Sequence, residues 1–237
     1  MVGEMALSGL ATALVLSLAV AAVSVRGRLL TPDGGAAAAV IGTLVLGFGG
    51  WGVAALLGIF FVTSSLLTRW RSAAKAGAEP RGVARTARTA AQVLANGAVP
   101  AGLAVIWALS PSEAVATGIA AAIAAATADT WATEIGLLSP RPPRLITTWR
   151  EVPPGISGGV TVLGTAAAAA GAGIIAAGAR LVGVPFWIPW TAGIAAMAFD
   201  SLLGATVEGR WRGVTNDTVN FVATLSAALA AAGASLL

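Results

Sequence analysis

Long apolar stretches, with charged residues gathered between them, dominate this chain. Seven stretches carry no charged side chain: residues 5–25, 34–68, 92–111, 114–128, 156–179, 181–199 and 218–237. Most are long enough to cross a bilayer as a helix, which takes about 20 apolar residues. They lack the polar stripe of a soluble helix and the alternation of a membrane β-strand. The pattern predicts an all-α, polytopic transmembrane helical bundle of about six to eight spans.

The composition supports a single integral membrane domain over residues 1–237. Charged residues make up 10% of the chain, whereas a soluble globular domain carries about a quarter. We expect the first apolar stretch to be the first span rather than a cleaved signal peptide, because it is about as long as a full span and basic residues follow it instead of preceding it.

Basic residues predict the orientation of the spans. Thirteen of the fourteen can share one face, Arg180 being the exception, and that face should be cytoplasmic. The longest polar connection holds a dense group: Arg69, Arg71, Lys75, Arg81, Arg85 and Arg88. With Arg28 and Arg69 on the same face of the membrane, the stretch between them must enter the membrane from that face and come back to it. It does so either as two short helices broken within Gly47–Gly52 or as a re-entrant hairpin, which gives eight crossings, or six plus a re-entrant pair, with both termini outside.

The chain contains no cysteine and no histidine. This excludes thiolate nucleophiles, disulfides, imidazole general bases and the usual zinc sites. Any chemistry must therefore use carboxylates, amides, hydroxyls, basic side chains or a hard metal ion.

Two acidic residues lie at the ends of otherwise apolar spans, where a charge is costly and usually functional. They are Asp129 and Asp200, and Glu134 follows Asp129 by just over one helical turn. Carboxylates without histidine or cysteine suit Mg²⁺, which proteins bind through one or two carboxylates together with substrate phosphates. We therefore predict Asp129, Glu134 and Asp200 as catalytic residues and as Mg²⁺ ligands.

Other polar residues are expected at the same depth and are candidates for binding phosphate. They are Arg69, Gln92, Asn96, Thr130, Gly158, Gly159, Ser201, Asn216, Asp217 and Asn220. Gly158 and Gly159 belong to a glycine-rich turn ahead of a helix predicted to begin near Val160, and such a turn exposes backbone N–H groups to an anion. For Asn216 and Asp217, capping of the last helix is an equally good interpretation.

Blocks along nearly the whole chain resemble an integral membrane family first catalogued as a domain of unknown function, which includes transmembrane-protein-nineteen-like proteins and phytyl-phosphate kinases. The resembling blocks are residues 47–51, 64–69, 92–97, 129–136, 154–164, 200–206 and 216–221. The Asp129-Thr130-Trp131 and Asp200 to Thr206 blocks are the most specific. The family has Thr-Asn where this chain has Ile156-Ser157, and typically Gln at Glu208.

The resemblance implies a kinase that converts an isoprenyl monophosphate, phytyl- or geranylgeranyl-like, into the diphosphate. The phosphate donor would be CTP or ATP, and the isoprenyl tail would lie between helices. We expect the protein in the plasma membrane of a prokaryote, with its site facing the cytoplasm and membrane lipid around it. Self-association into a homo-oligomer is compatible with this picture, and no nucleic acid partner is expected.

Two other functions use the same residue types. A transporter or flippase for a phosphorylated lipid or small anion would use the buried carboxylates as a coupling-ion or proton pathway, and a broken helix around Gly47–Gly52 would mark its site. A CTP-dependent lipid cytidylyltransferase would release pyrophosphate instead of CDP.

Overall fold

The computed structural model describes residues 2–72, 75 and 87–236, so the predicted basic residues Arg81 and Arg85 lie outside the described residues. The described residues form seven long helices, each long and apolar enough to span a membrane. They are α1 (Val2–Arg26), α2 (Pro32–Arg69), α3 (Ala90–Leu109), α4 (Glu113–Gly136), α5 (Val162–Gly178), α6 (Trp187–Thr206) and α7 (Asn216–Ala234). The predicted all-α membrane bundle is confirmed.

Gly50 divides α2 into two arms, because its backbone angles (φ 71°, ψ −174°) are not helical and are essentially restricted to glycine. The first arm packs antiparallel to α1, with Gly35 beside Val25. The second arm returns, so that Arg69 at its end donates a hydrogen bond to the carbonyl oxygen of Gly27. Each arm is about 27 Å long, close to the hydrocarbon thickness of about 30 Å. The structure therefore favours two short helices broken within Gly47–Gly52.

Helix α4 forms the centre of the bundle. Its residues 116–128 are all buried, and α2, α3, α5, α6 and α7 pack around it. Eleven of these thirteen residues are alanine, glycine or threonine with small side chains, which let neighbouring backbones come close. For example, a Cβ atom on Gly193 of α6 would lie 3.1 Å from the backbone of Ala124. Helix α1 packs against α2 at the periphery.

The connections gather at two ends of the bundle. We call the end where α1, α4 and α6 finish, and where α3, α5 and α7 begin, the basic end, because most of the arginines of the described residues lie there. The opposite end holds the short turns after α3 and α5. A short 3-10 helix (Ala179–Val182) precedes the second of these turns, and Gly52 packs against it.

The glycine-rich connection before α5 differs from its prediction. Two short strands, β1 (Arg144–Leu145) and β2 (Gly159–Val160), pair antiparallel in it. The helix predicted near Val160 begins at Val162, because Val160 belongs to β2 and Thr161 caps the helix by accepting a hydrogen bond from the Gly164 N–H at 2.9 Å.

Candidate functional site

A cavity of about 900 Å³ opens at the basic end of the bundle. Its walls come from the ends of α2 to α7 and from the connections before α3, α5 and α7. Twelve of the thirteen site residues predicted from the sequence line it: Gln92, Asn96, Asp129, Thr130, Glu134, Gly158, Gly159, Asp200, Ser201, Asn216, Asp217 and Asn220. The fold thus brings together residues that are more than 120 positions apart in the chain.

Asp200 is a buried carboxylate in the cavity wall. The residue is only 8% exposed, and its buried Oδ2 has no hydrogen-bond partner. Asp129 and Glu208 are close enough for their charges to act on it. A buried carboxylate oxygen without a partner, beside two further carboxylates, is unfavourable unless a cation or a proton compensates it.

Glu134 has a different environment. Its Oε2 forms an ion pair with Lys75 Nζ at 2.7 Å, and its Oε1 accepts a hydrogen bond from the Thr68 hydroxyl at 2.8 Å. Both side chains of the ion pair are almost completely buried. Both carboxylate oxygens are therefore engaged within the protein.

The predicted set of three Mg²⁺ ligands is consequently not assembled. Among the residues that the structure describes, no three carboxylates are grouped closely enough to hold a metal ion by themselves. Asp129 and Asp200 are brought together, while Glu134 is held by Lys75. Glu208, which follows Asp200 by two helical turns, reaches the same region instead.

Arg69, the predicted phosphate ligand, does not line the cavity, because its guanidinium donates to Gly27 at the surface of the basic end. Arg88 takes its place in the cavity wall. The guanidinium of Arg88 lies over the Phe60 ring, 5.2 Å from its centroid, and burial lowers its pKa to about 10, a shift that the nearby Glu134 carboxylate opposes. Arg88 therefore remains charged at neutral pH.

The backbone of Arg88 is fixed by the connection between α1 and α2. Its N–H donates to the Leu29 carbonyl at 2.9 Å, and its own carbonyl accepts from the Thr31 N–H at 3.0 Å. Sequence reasoning missed Arg88 because it treated the residue as one of several charges in a solvated loop. The sequence does carry a signal for a fixed position, because Arg88 directly precedes Thr89, which caps α3 in a Thr-x-x-Gln capping box.

Amide residues line the wall formed by α3 and α7. Gln92 accepts the Thr89 N–H through its Oε1 at 3.1 Å, and Asn96 is buried and donates to the Gln92 carbonyl at 2.9 Å. Asn220 carries a buried Oδ1 that has no partner. These amides offer donors and acceptors at the depth of the carboxylates.

The residue that caps α7 is Thr215, which accepts the Thr218 N–H. The interpretation of Asn216 and Asp217 as the cap is therefore wrong. Both follow the cap in the first turn of α7 and line the cavity.

Gly158 fixes the glycine-rich turn against α6. It adopts φ +80°, and a Cβ atom there would lie 2.5 Å from the Ala205 Cβ and 2.7 Å from the Ser201 carbonyl oxygen. Only glycine allows both this backbone conformation and this close approach. The contact holds Ser157 and Gly158 beside the face of α6 that carries Asp200 and Ser201.

The chain is similar to proteins of an archaeon, a cyanobacterium and a plant. It is 35% identical over 209 residues to the uncharacterized membrane protein MJ0933 of Methanocaldococcus jannaschii, covering 84% of this chain and 83% of the relative. It is 31% identical over 233 residues to the uncharacterized membrane protein sll0875 of Synechocystis, covering 91% and 86%. It is 32% identical over 227 residues to Protein PGR of Arabidopsis thaliana, covering 83% and 78%.

No solved structure matches the chain at a significant level. The family model described as "Integral membrane protein DUF92" matches residues 15–228, which include every residue that lines the cavity. The chain therefore belongs to the DUF92 family of integral membrane proteins.

Proposed function

We propose that the protein is an isoprenyl-phosphate kinase, which transfers the γ-phosphoryl group of CTP or ATP to the terminal phosphate of a membrane-embedded isoprenyl monophosphate. An oxygen of the lipid phosphate forms a bond to the γ-phosphorus, the bond from that phosphorus to the β-phosphate oxygen breaks, and the nucleoside diphosphate leaves. The observation that carries the proposal is the buried, partnerless carboxylate oxygen of Asp200 in a cavity lined by amides, hydroxyls and an arginine.

The cavity suits phosphoryl transfer because that reaction depends mainly on positioning and on neutralising charge. Arg88 supplies a fixed positive charge, and Thr130, Ser201 and Asn96 supply neutral donors. The backbone of the glycine-rich turn at Gly158 adds polar groups from the α5 side. Two phosphorylated substrates would require donors on opposite walls, and the cavity has them on the α3, α4 and α6 sides.

The residues present fit a divalent cation such as Mg²⁺. Asp200 has an unsatisfied carboxylate oxygen, and Asp129 and Glu208 add negative charge around it. Bound there, Mg²⁺ would neutralise charge between these carboxylates and the phosphate oxygens of the substrates. Because the protein brings few carboxylates together, the substrates' phosphates would complete the coordination, as is common for Mg²⁺.

The helix break that motivated the transporter alternative does not lie at the cavity. The broken backbone at Gly50 lies near the end of the bundle opposite the cavity, where the adjacent Gly52 packs against Leu181 and Val182. A discontinuous helix supports a transport site when its break faces the bound ion or substrate, and here the two are on opposite ends.

The test is a product assay with the purified full-length protein, Mg²⁺, CTP or ATP, and phytyl or geranylgeranyl monophosphate. We expect an isoprenyl diphosphate together with CDP or ADP. Asp129→Asn and Asp200→Asn should each lower turnover by at least about 100-fold while the protein remains folded. The absence of diphosphate from every pairing would refute the kinase, release of pyrophosphate would indicate a cytidylyltransferase, and nucleotide-independent movement of the lipid in liposomes would indicate a flippase.

A further inference from the structure

The facing rows of α5 and α6 can be followed from the middle of the bundle to the cavity at the basic end. On α5, Ala169 and Gly173 contact Trp190 of α6, and Thr165 precedes Ala169 by one turn on the same face. On α6, Gly193 packs against Ala172 of α5, and the same row continues through residues 197, 201 and 205. The two helices are thus in contact in the half of the bundle away from the basic end.

The cavity extends between the two helices from this contact to the glycine-rich turn, and we call this part of it the gap. Its far edge is the Trp190 indole, whose N–H donates to the Ala169 carbonyl at 3.0 Å. Its near edge is Gly158, which rests on Ser201 and Ala205. Between these edges Thr165 from α5 and Met197 from α6 both line the cavity.

Thr165 lines the cavity and is nevertheless exposed, so the cavity reaches the side of the bundle at this point. The Thr165 hydroxyl donates to the Thr161 carbonyl at 3.0 Å, which leaves its methyl group as the free part of the side chain. Apolar residues at the same depth are exposed beside the gap, including Val162 (87% exposed) and Leu202 (42%). In a membrane protein these side chains face lipid.

Two other seams next to the cavity are filled. Between α2 and α5 the Trp131 ring lies against Gly171, and its N–H approaches the Thr63 hydroxyl at 3.4 Å. Between α4 and α5, a Cβ atom on Gly136 would lie 3.6 Å from the Gly164 Cα, and a Cβ atom on Gly164 would lie 3.3 Å from the Gly136 Cα.

We infer that the gap between α5 and α6, bounded by Thr165, Met197, Trp190 and Gly158, is the lateral opening through which the hydrocarbon chain of a lipid phosphate enters from the bilayer. The phosphate end occupies the polar cavity, and the chain passes between Thr165 and Met197 toward the lipid. Met197 suits this position because its flexible thioether side chain adapts to an apolar ligand. The inference rests on the proposed function for the identity of the lipid as an isoprenyl phosphate, whereas the path of the chain is a separate claim.

The first test maps the chain directly. A geranylgeranyl monophosphate analogue with a diazirine in its chain is photolysed with the full-length protein in detergent, with and without excess unlabelled geranylgeranyl monophosphate. We expect competed labelling in α5 and α6 around Thr165 and Met197. Competed labelling confined to the seams beside α2, α3 or α7, or no competed labelling, would overturn the inference.

Labelling and product formation are scored on the same preparation. If the gap is labelled and no diphosphate forms, the opening stands and the kinase function fails. If diphosphate forms and the label maps elsewhere, the kinase stands and the opening fails.

The second test narrows the gap. Thr165→Trp places a large ring in the opening, and Leu163→Trp places the same ring on the other flank of α5, where Leu163 is 40% exposed. We expect Thr165→Trp to lower the ratio of geranylgeranyl to dimethylallyl monophosphate binding by about tenfold or more, since a clash selects against the longer ligand. Leu163→Trp should leave that ratio at the wild-type value. Equal ratios in the two variants would contradict the inference, and the labelling experiment decides the question if Thr165→Trp does not fold.

Discussion

Replacing Gly158 by alanine should separate the glycine-rich turn from α6 and disable the site. A Cβ atom at this position would lie 2.5 Å from the Ala205 Cβ, whereas ordinary contacts begin at 3.4 Å. The turn must therefore move by roughly 1 Å, since its neighbours are the Ala205 Cβ and backbone atoms of a packed helix, none of which can rotate away. A misplacement of about 1 Å can lower an enzymatic rate by about 100-fold.

The cost in stability has two parts. Alanine in the left-handed conformation of Gly158 costs roughly 1–2 kcal/mol, and forcing atoms into a filled contact adds about 1–3 kcal/mol. We therefore expect Gly158→Ala to lower the free energy of unfolding by about 2–5 kcal/mol.

Gly183 offers a matched control. It has a similar φ of +77°, but a Cβ atom there meets nothing within 4 Å, and it lies at the end of the bundle opposite the cavity. Gly183→Ala should cost only the conformational part, about 1–2 kcal/mol, and should keep its turnover. Thermal unfolding in detergent and diphosphate formation measure both quantities. Normal turnover by Gly158→Ala, or equal damage by the two variants, would refute the role of this contact.

Three further predictions concern the fold and the cavity wall. Gly50→Ala should lower the free energy of unfolding by about 1–3 kcal/mol, because the break in α2 needs a backbone conformation that only glycine adopts without strain. Thermal unfolding in detergent measures this, and an unchanged midpoint would argue against a break in α2 at Gly50. Lys75→Met and Glu134→Gln alone should each lower the free energy of unfolding by about 3–5 kcal/mol, because each leaves a buried partner without its counter-charge, and the double variant should recover much of the loss. A double-mutant cycle measured by thermal unfolding that shows no coupling would argue against the ion pair. Arg88→Gln should raise the KM for the phosphorylated substrates about tenfold, and Arg210→Gln, an exposed charge at the same end, should not. Because the pKa of Arg88 is about 10, its contribution should stay constant from about pH 6 to about pH 9; a KM difference between Arg88→Gln and wild type that disappears within this range would contradict the assignment.

The membrane helices follow closely from the sequence because the hydrocarbon imposes long apolar stretches, which are visible without any tertiary information. Even the break within α2 could be predicted, since two basic flanks on one face leave the intervening stretch too short for two full spans. The helix boundaries shifted by a few residues where local hydrogen bonds decide them, as at Thr161 and Thr215.

The grouping of Asp129 and Asp200 could also be predicted, because charged residues in apolar spans converge at one depth. Pairing between residues distant in the sequence could not be predicted. Nothing in the local sequence shows that Lys75 neutralises Glu134 or that Arg69 turns toward Gly27. These contacts depend on how α2 packs against α1 and α4, and they decide which charges remain in the cavity.

The position of the labelled phosphate in the product tests the central claim most directly. The protein is incubated with Mg²⁺, geranylgeranyl monophosphate, and CTP or ATP labelled in the γ-phosphate. We predict that the label appears in the isoprenyl diphosphate and that the Asp200→Asn variant transfers none. A lipid product that carries the nucleotide's α-phosphate, or label that appears only as inorganic phosphate, would contradict the proposed phosphoryl transfer.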